Sequence, residues 1–325
     1  MSSTPTISGT IQSTCCICPV CGQAATPRIP GPPSTVLCMS CGLEALGSFP
    51  PSKDRESFYQ ENYYSEETGA RFLKLFEWPF VLFRWLRFRA ISRRSARCGA
   101  IVDVGCGRGD LLETFKTHGW EVLGTQLSRT AARAAKERRG IEVVCGELPQ
   151  LGLPRGRYDV VTFFHVLEHL AAPQAYLAAA RELLKDDGLL VVEVPDCSSP
   201  GFRILGARSF CFDYPHHLIF FTHNSLGSLL KRAGFEIVGT SRFAIEYSPY
   251  TTLQNLLNIL PGEPGRLYRA LMGNVEGQSL RRSPWTWLHA ALGLTLALPA
   301  LFISLLALAL PVGNTVRFYC RKKLG

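Results

Sequence analysis

The chain has 325 residues, of which 46% are hydrophobic, and it carries a formal net charge of +9. This length predicts two domains, or one large domain with additions, and the apolar content excludes a disordered chain. Arginines cluster at 84–97 and 129–139, which suits a nucleic acid and an anionic membrane surface equally well. Residues 1–12 are polar and lack the apolar region of a signal peptide, so we expect a cytoplasmic chain.

Two C-x2-C pairs stand out in residues 1–56, and sixteen residues separate them. A glycine follows each pair and relieves the turn, so four thiolates can reach one tetrahedral ion. We predict a zinc-ribbon-like segment with a structural zinc bound by Cys18, Cys21, Cys38 and Cys41. The alternative is four reduced thiols without a metal. Cys15 and Cys16 are expected to be spare, although they could compete as ligands.

The approach segment, residues 57–99, mixes aromatic, apolar and basic side chains. The aromatic run at 58–64 could form a lid over a ligand or a packing linker. Residues 78–89 combine tryptophan and phenylalanine with Arg84, Arg87 and Arg89, a mixture that also suits a membrane interface. We favour a helix that packs against its own domain.

Strand and helix patterns alternate through residues 100–241. A strand ends at Val104, and Gly105, Gly107 and Gly109 follow it before a helical pattern begins. Further strands are predicted at 120–125, 141–145, 158–164, 189–194 and 235–239, with a turn at 186–188. The alternation predicts a mostly parallel, doubly wound sheet that binds its ligand at the carboxyl ends of the strands.

Polar residues at these strand ends indicate a nucleoside-bearing cofactor. Gln126 follows the second strand, where a side chain can bond ribose hydroxyls, and Glu147 follows the third, where it can reach an adenine edge. His165, Glu168 and His169 follow the fourth strand and face the substrate side.

Four motifs in order make the chain resemble the class I S-adenosylmethionine-dependent methyltransferases over residues 100–241. They are Asp103-Val-Gly-Cys-Gly-Arg-Gly109, Tyr158-Asp-Val-Val-Thr-Phe-Phe-His-Val-Leu-Glu-His169, Leu183-Leu-Lys-Asp-Asp-Gly-Leu-Leu-Val-Val-Glu-Val-Pro195 and Ala233-Gly-Phe-Glu-Ile-Val238. The resemblance implies an α/β, doubly wound, seven-stranded Rossmann-like sheet, whose last strand lies antiparallel between strands five and six.

The resemblance also implies S-adenosylmethionine as the cofactor. Gly105 and Gly107 would lie under its methionine part, Asp103 would steady the loop, and His165 would lie near the transferred methyl. Gln126 departs from the family, which usually has an acidic residue there to grip both ribose hydroxyls. The predicted cofactor-binding residues are Asp103, Gly105, Cys106, Gly107, Gly109, Gln126, Glu147 and His165.

The run at 213–222 and the four-cysteine segment look like the bacterial subgroup that acts on sugars, quinones and lipid-linked metabolites. A hydroxyl or enol acceptor benefits from a nearby base. We predict His165, His216 and His217 as candidates for this catalytic role. For each of these histidines, a packing role is the alternative.

Residues 283–316 contain no charged side chain. A single membrane span and a buried helix are alternatives, but Pro299 divides the run into 285–298 and 300–312, each about 20 Å long as helix. That is short of a hydrocarbon core of about 30 Å, and both flanks are basic. We therefore predict a re-entrant or interfacial helical hairpin at 285–312 that anchors the chain to the cytoplasmic leaflet.

Residues 314–325 hold the predicted last strand and a basic tail, so residues 242–313 form an insertion before that strand. Within it, 245–282 is predicted to be a substrate cap that includes Gln254, Asn255 and Asn258.

These features together predict a membrane-anchored methyltransferase acting on a small or lipid-linked acceptor, a sugar or a quinone. A non-catalytic zinc-binding scaffold with the same fold is the alternative, supported only by Gln126. An RNA methyltransferase fits the charge and the cysteines, but a membrane anchor disfavours it, and we expect no nucleic acid partner.

Overall fold

The computed structural model describes residues 16–18, 21–29, 34–49, 78–95, 98–271, 275–307, 310 and 312–323. The predicted aromatic lid at 58–64 and Cys15 lie outside these residues. The strands are β1 (Cys16–Ile17), β2 (Ala24–Ile29), β3 (Thr35–Cys38), β4 (Glu44–Leu46), β5 (Ala100–Val104), β6 (Glu121–Gln126), β7 (Val143–Cys145), β8 (Tyr158–Phe164), β9 (Leu184–Pro195), β10 (Ile219–Phe220), β11 (Phe235–Ser241) and β12 (Thr315–Lys322).

Seven strands form the central sheet in the order β11-β12-β9-β8-β5-β6-β7. Strands β5 to β9 are parallel, and β12 is antiparallel to both β9 and β11. The predicted seven-stranded fold and the place of its last strand are therefore confirmed. Strand β9 begins earlier than predicted, at Leu184, which is buried and pairs with Tyr158. The next pair is Val160 with Leu189, so residues 185–188, which contain the predicted turn, shift the register of β9 against β8.

The helices are α1 (Trp78–Ser92), α2 (Asp110–Thr117), α3 (Arg129–Arg139), α4 (Pro173–Leu183), α5 (Pro200–Leu205), α6 (His223–Arg232), α7 (Ser248–Leu257), α8 (Arg266–Leu271), α9 (Val275–Arg281) and α10 (Pro284–Leu306). Successive strand residues enter different hydrophobic clusters, as Ile101 and Val102 do. Since side chains alternate along a strand, the two clusters lie on opposite faces of the sheet. Both faces are covered, as a doubly wound fold requires.

A second sheet joins the N-terminal segment to the main domain. Its order is β1-β2-β3-β4-β10, and β10 comes from the loop region that precedes α6. The Leu46 amide also donates to the Leu218 carbonyl at 2.9 Å. The cysteine-containing segment therefore braces residues 218–220, immediately after His216 and His217.

The insertion before β12 differs from the predicted hairpin. Helix α10 continues through Pro299 for 23 residues and does not break there. Pro299 lies on the exposed side, where the loss of one backbone hydrogen bond is tolerated, while the helix packs on α7 and α8. The prediction of two short helices at 285–298 and 300–312 was wrong because it gave the proline more weight than this packing.

Candidate active site

The glycine turn after β5 has the geometry of a ligand-binding loop. Gly105, Gly107 and Gly109 have φ angles of 68°, 57° and 78°, in the left-handed region that favours glycine. A Cβ at Gly105 would lie 2.6 Å from Cγ2 of Val166. The amide of Gly105 donates to the Thr125 carbonyl at 2.8 Å, which ties the turn to β6.

Asp103 lies beneath this turn at the end of β5. Its Oδ1 accepts a hydrogen bond of 2.6 Å from Thr162 on β8. Burial raises the pKa of Asp103 to about 6, although the Thr162 hydroxyl and the Arg87 charge act in the opposite direction. The side chain thus links two central strands and supports the turn from below.

Three other predicted cofactor residues follow their strands as expected. Cys106 lies in the turn, and its amide donates to the Thr125 carbonyl at 3.1 Å. Gln126 ends β6, and its Oε1 accepts a hydrogen bond from the Leu127 amide at 2.8 Å. Glu147 is exposed just after β7. All three lie at the carboxyl edge of parallel strands, where open sheets bind nucleotides.

His165 is held in a strained conformation at the end of β8. Its φ is 56°, and it is the one residue other than glycine with positive φ among the described residues. Its Nε2 lies 3.2 Å from Oε1 of Glu193, its Nδ1 lies 3.4 Å from Oε1 of Glu168, and its ring stacks on Tyr247. Such strain persists only where surrounding contacts fix it, and it is typical of functional sites.

The charge state of His165 follows from these contacts. Burial alone favours the neutral ring, but Glu168 and Glu193 outweigh it and raise the pKa of His165 to about 9. The ring at neutral pH is therefore an imidazolium, which donates hydrogen bonds. Both ring nitrogens already contact carboxylates, and a charged ring takes no further proton, so this geometry argues against base catalysis by His165.

A buried ion cluster behind His165 escaped the sequence analysis. Glu193 on β9 is fully buried and contacts Arg87 at 2.8 Å and Arg317 at 2.5 Å. Both arginines also contact Glu246, at 2.7 Å and 3.1 Å. The charges lower the pKa of Glu193, against the effect of burial. A glutamate within the apolar run of β9 was the available signal, because a buried carboxylate needs a partner.

A second cluster fixes α1 beside the glycine turn. Asp110, the first residue of α2, contacts Arg84 of α1, Arg108 at 2.6 Å and Arg139 at 2.6 Å. Through Arg84 and Arg87, α1 therefore directs two of its three arginines towards the domain. This confirms that α1 packs against its own domain.

The two histidines predicted as bases have different surroundings. His216 is partly exposed, and its Nδ1 lies 3.3 Å from Oδ1 of Asp213. His217 is buried, and its Nδ1 lies 2.8 Å from the carbonyl oxygen of Cys211. A carboxylate beside one ring nitrogen orients a histidine for proton transfer at the other, so His216 has the arrangement that a base requires.

The four predicted metal ligands in the N-terminal segment lie together. Their sulfur atoms are within 4.8 Å of one another, with 3.6 Å between Cys18 and Cys41 and 3.4 Å between Cys21 and Cys38. Zinc–sulfur bonds of about 2.3 Å in a tetrahedron correspond to sulfur separations of about 3.8 Å. Gly22 and Gly42 have positive φ and bond back to Cys18 and Cys38, as in a metal-binding knuckle. The residues fit a structural zinc.

Comparisons with known proteins agree with this architecture. The family described as "Methyltransferase domain" matches residues 82–240. The ubiquinone biosynthesis O-methyltransferase of Cereibacter sphaeroides is 32% identical over 149 residues, which cover 42% of this chain and 60% of that protein. The enzyme of the same name from Nitrosospira multiformis is 28% identical over 193 residues, covering 53% and 76%. The chain therefore spans about 60% of the length of the first of these relatives.

Among solved structures, the cyclase SpnF is similar with a TM-score of 0.50 and 19% identity, over 82% of this chain and 87% of that one. At this identity the likeness shows the fold alone. Residues 82–240 thus match a methyltransferase domain, and the glycine turn and the strand order agree with that match.

Proposed function

We propose that the protein transfers a methyl group from S-adenosylmethionine to a hydroxyl of a small or lipid-linked acceptor, such as a quinone, at a membrane surface. The observation that carries the proposal is the glycine turn opposite the strained His165, within a domain whose relatives are named ubiquinone biosynthesis O-methyltransferases. The cofactor would lie on Gly105 and Gly107, with its ribose near Gln126 and its adenine near Glu147.

The chemistry is an in-line displacement that mainly requires positioning. The acceptor oxygen attacks the methyl carbon, and the carbon–sulfur bond breaks with its electron pair staying on sulfur. The product is a thioether, and the proton of the hydroxyl passes to a base. We assign this base to His216, which Asp213 orients. We assign His165 to shaping the acceptor side, because both of its ring nitrogens contact buried carboxylates and its ring stacks on Tyr247.

A polar stripe at the start of α7 supports this assignment of the acceptor side. Tyr247, Thr251 and Gln254 are spaced to share one helix face, and Tyr247 contacts the His165 ring. Gln254 is fully buried, and neither atom of its amide group has a hydrogen-bond partner in the described part of the chain. Since an unpaired buried amide is costly, it favours a polar ligand at this position.

Helix α10 supports the membrane location. By length and composition it is the one helix in the described ranges that could cross a membrane. Its large apolar side chains face outwards, as with Leu294 at 81% and Leu298 at 76% exposure. Its buried positions are small or polar, namely Thr286, His289, Gly293, Ala300 and Ser304. A helix on a water-exposed surface instead buries its large apolar side chains and exposes its polar ones. The arrangement in α10 therefore matches a surface that faces lipid.

Helix α1 also exposes apolar side chains. Arg84 and Arg87 point inwards, whereas Val81, Leu82, Trp85 and Leu86 are exposed together with Arg89. Arg87 bonds Glu246, and Ser304 of α10 bonds the carbonyl of Ser248, so both helices are fixed to neighbouring residues.

The insertion begins and ends at the adjacent strands β11 and β12. Helices α8 and α9, which carry arginines, lie against α10 and so would have to enter the membrane with it. We therefore infer an interfacial helix rather than a span.

The test of the activity is transfer of radiolabelled methyl from S-adenosylmethionine to membrane lipid extracts. We expect transfer by the wild type and none by Gly105→Arg, with Gly119→Ala as a control in a glycine turn where nothing lies within 4 Å. Failure of the wild type to bind the cofactor at millimolar concentration would favour the scaffold. Transfer to RNA without transfer to lipid would favour the RNA methyltransferase.

The test of the membrane location is flotation with vesicles that contain anionic lipid. Leu294→Glu with Leu298→Glu should release the protein from vesicles. Ile204→Glu, an equally exposed apolar site on α5, should leave it bound. Equal flotation of both variants would refute an α10 anchor.

The test of the structural zinc is metal analysis. We expect one zinc ion that depends on Cys38, and Cys38→Ser should lose it and lower the melting temperature. The exposed Cys98→Ser is the matched control. Full zinc content in Cys38→Ser would contradict the assignment.

A further inference from the structure

A buried carboxylate at the carboxyl edge of the sheet has no part in the steps assigned so far. Asp196 directly follows β9, and β9 runs parallel to β8, which His165 follows. Asp196 is fully buried. Its Oδ1 accepts hydrogen bonds from the amide of Ser198 at 2.9 Å and from its hydroxyl at 2.5 Å. Its Oδ2 is buried and has no hydrogen-bond partner in the described part of the chain.

The local turn accounts for Oδ1 but not for Oδ2. The bonds from Ser198 to Oδ1 and from the Ser199 amide to the Asp196 carbonyl, at 3.0 Å, close a short turn before α5. Asparagine makes such a turn as well as aspartate does, so the turn does not require a second carboxylate oxygen. An unpaired buried oxygen lowers stability, which favours a ligand that donates a hydrogen bond to it.

Asn314 brings Asp196 beside the first turn of α7. Its carbonyl accepts a hydrogen bond from the Asp196 amide at 3.0 Å and lies 3.9 Å from Sγ of Cys211. Its side-chain amide donates to the carbonyl of Ser248 at 3.2 Å and to the hydroxyl of Thr252 at 2.9 Å. One residue before β12 therefore joins the end of β9 to the helix that carries the polar stripe.

The Cys211 thiol indicates that Asp196 lies near Tyr247. Burial raises the pKa of Cys211 to about 12, and the charge of Asp196 raises it further, while a hydrogen bond with Tyr247 acts in the opposite direction. A thiol that senses both groups lies close to both. The ring of Tyr247 stacks on the ring of His165, with centroids 4.6 Å apart. Asp196 is therefore on the side of the sheet edge to which the proposed function assigns the acceptor.

Gln254 is the second buried group of this kind. It lies seven residues after Tyr247, which is about 10 Å along the helix, and both atoms of its amide are unpaired among the described residues. An amide offers a donor and an acceptor, whereas Oδ2 of Asp196 offers an acceptor. Neither group supplies a positive charge. Together they match a neutral ligand that carries several hydrogen-bonding groups.

We propose that Asp196 and Gln254 determine acceptor specificity: Asp196 accepts a hydrogen bond from a second hydroxyl of the acceptor, one that is not methylated, and Gln254 binds a further neutral polar group. This inference rests on the proposed function and narrows its acceptor to a neutral, polyhydroxylated molecule. An acceptor with a carboxylate or a phosphate beside Asp196 is rejected, because two buried anions repel each other.

The first test needs no ligand. Asp196→Asn keeps the bonds from Ser198 to Oδ1, and Gln254→Met keeps the approximate volume of the side chain. Because each change removes an unpaired buried group, we expect each to raise the melting temperature of the free protein by about 2 °C. The matched changes at exposed positions, Asp187→Asn and Gln278→Met, should have no effect. A residue that only holds the fold gives the opposite sign, so a lower melting temperature in both buried variants would overturn the proposal.

The second test compares three phenols that differ in one group: para-hydroxybenzyl alcohol, para-cresol and para-hydroxybenzoate. Binding to the full-length protein is measured by saturation-transfer nuclear magnetic resonance. We expect the alcohol to bind at least ten-fold more tightly than the other two, and Asp196→Asn to lower its preference over para-cresol at least five-fold. Equal binding of the three phenols, or no binding of any at millimolar concentration, would overturn the proposal.

Methyl transfer to lipid extracts separates this inference from the proposed function. We expect Asp196→Asn to raise KM for the extract at least ten-fold. Transfer with an unchanged KM in this variant would overturn the role of Asp196 and leave the proposed function standing. Selective binding of the alcohol by the wild type without any methyl transfer would support the role of Asp196 while refuting the proposed function.

Discussion

Nε2 of His165 lies 3.2 Å from Oε1 of Glu193, so a strained histidine at the end of β8 meets a fully buried glutamate of the neighbouring strand. Glu193 also holds Arg87 of α1 and Arg317 of β12. One carboxylate thus connects the proposed methyl-acceptor side to the first helix and the last strand of the described domain.

We expect Glu193→Gln to lower the free energy of unfolding by about 3–5 kcal/mol, because it removes the fully buried one of the two carboxylates that Arg87 and Arg317 share. Chemical denaturation measures this. The same change at the exposed Glu236 should stay within about 0.5 kcal/mol. Adding Arg317→Met should recover part of the loss, and additive effects of the two changes would contradict the cluster.

Gly105→Ala should weaken cofactor binding at least ten-fold, as measured by isothermal titration. A methyl group there meets Val166 at 2.6 Å and also disfavours the φ of 68°. Gly119→Ala tests the unfavourable φ alone, because the φ of Gly119 is 82° but no atom lies within 4 Å of the added methyl group. We expect that control to cost about 1–2 kcal/mol of stability and to leave affinity unchanged. Equal affinities for both variants would argue against a ligand above Gly105.

Gln126→Glu should raise affinity for S-adenosylmethionine by roughly five-fold, about 1 kcal/mol, because a charged acceptor bonds ribose hydroxyls more strongly than an amide. The substitution keeps the shape of the side chain, and titration calorimetry reads the result. Gln23→Glu makes the same change in net charge in the exposed part of the N-terminal segment and should have no effect. A decrease in the affinity for S-adenosylmethionine would indicate that Gln126 does not contact the ribose.

Asp103→Asn should stabilise the protein without cofactor at pH 8 but not below pH 4. The pKa of Asp103 is raised to about 6 from 3.8, so the folded state binds its proton more tightly than the unfolded chain. Its favourable contribution is complete below pH 4 and is lost as pH rises through 6, a change of about 3 kcal/mol. Asparagine does not ionise, so the variant does not lose stability as the pH rises. Melting temperatures of variant and wild type against pH test this, and parallel curves would refute it.

The sequence determined the parts that depend on local pattern and short spacing. Alternating strands and helices, the glycines after β5 and two C-x2-C pairs are patterns over a few residues, and each reflects a local geometric need. The alternation predicted a doubly wound sheet, and the family resemblance of the motifs implied its seven strands and the place of β12, which the structure confirms. The two C-x2-C pairs predicted a four-cysteine cluster, whose sulfur atoms lie together.

Only the tertiary structure decided how distant residues meet. Glu193 joins Arg87 and Arg317, which are 106 and 124 positions away, and no local pattern encodes such a pairing. The course of α10 through Pro299 depended on its packing against α7 and α8, which outweighed the local effect of a proline. His217 reaches Glu168 because β10 pairs with β4 and Leu218 bonds the turn after β8. Burial, charge pairing and long-range strand contacts therefore bring together residues that the local motifs place on separate elements.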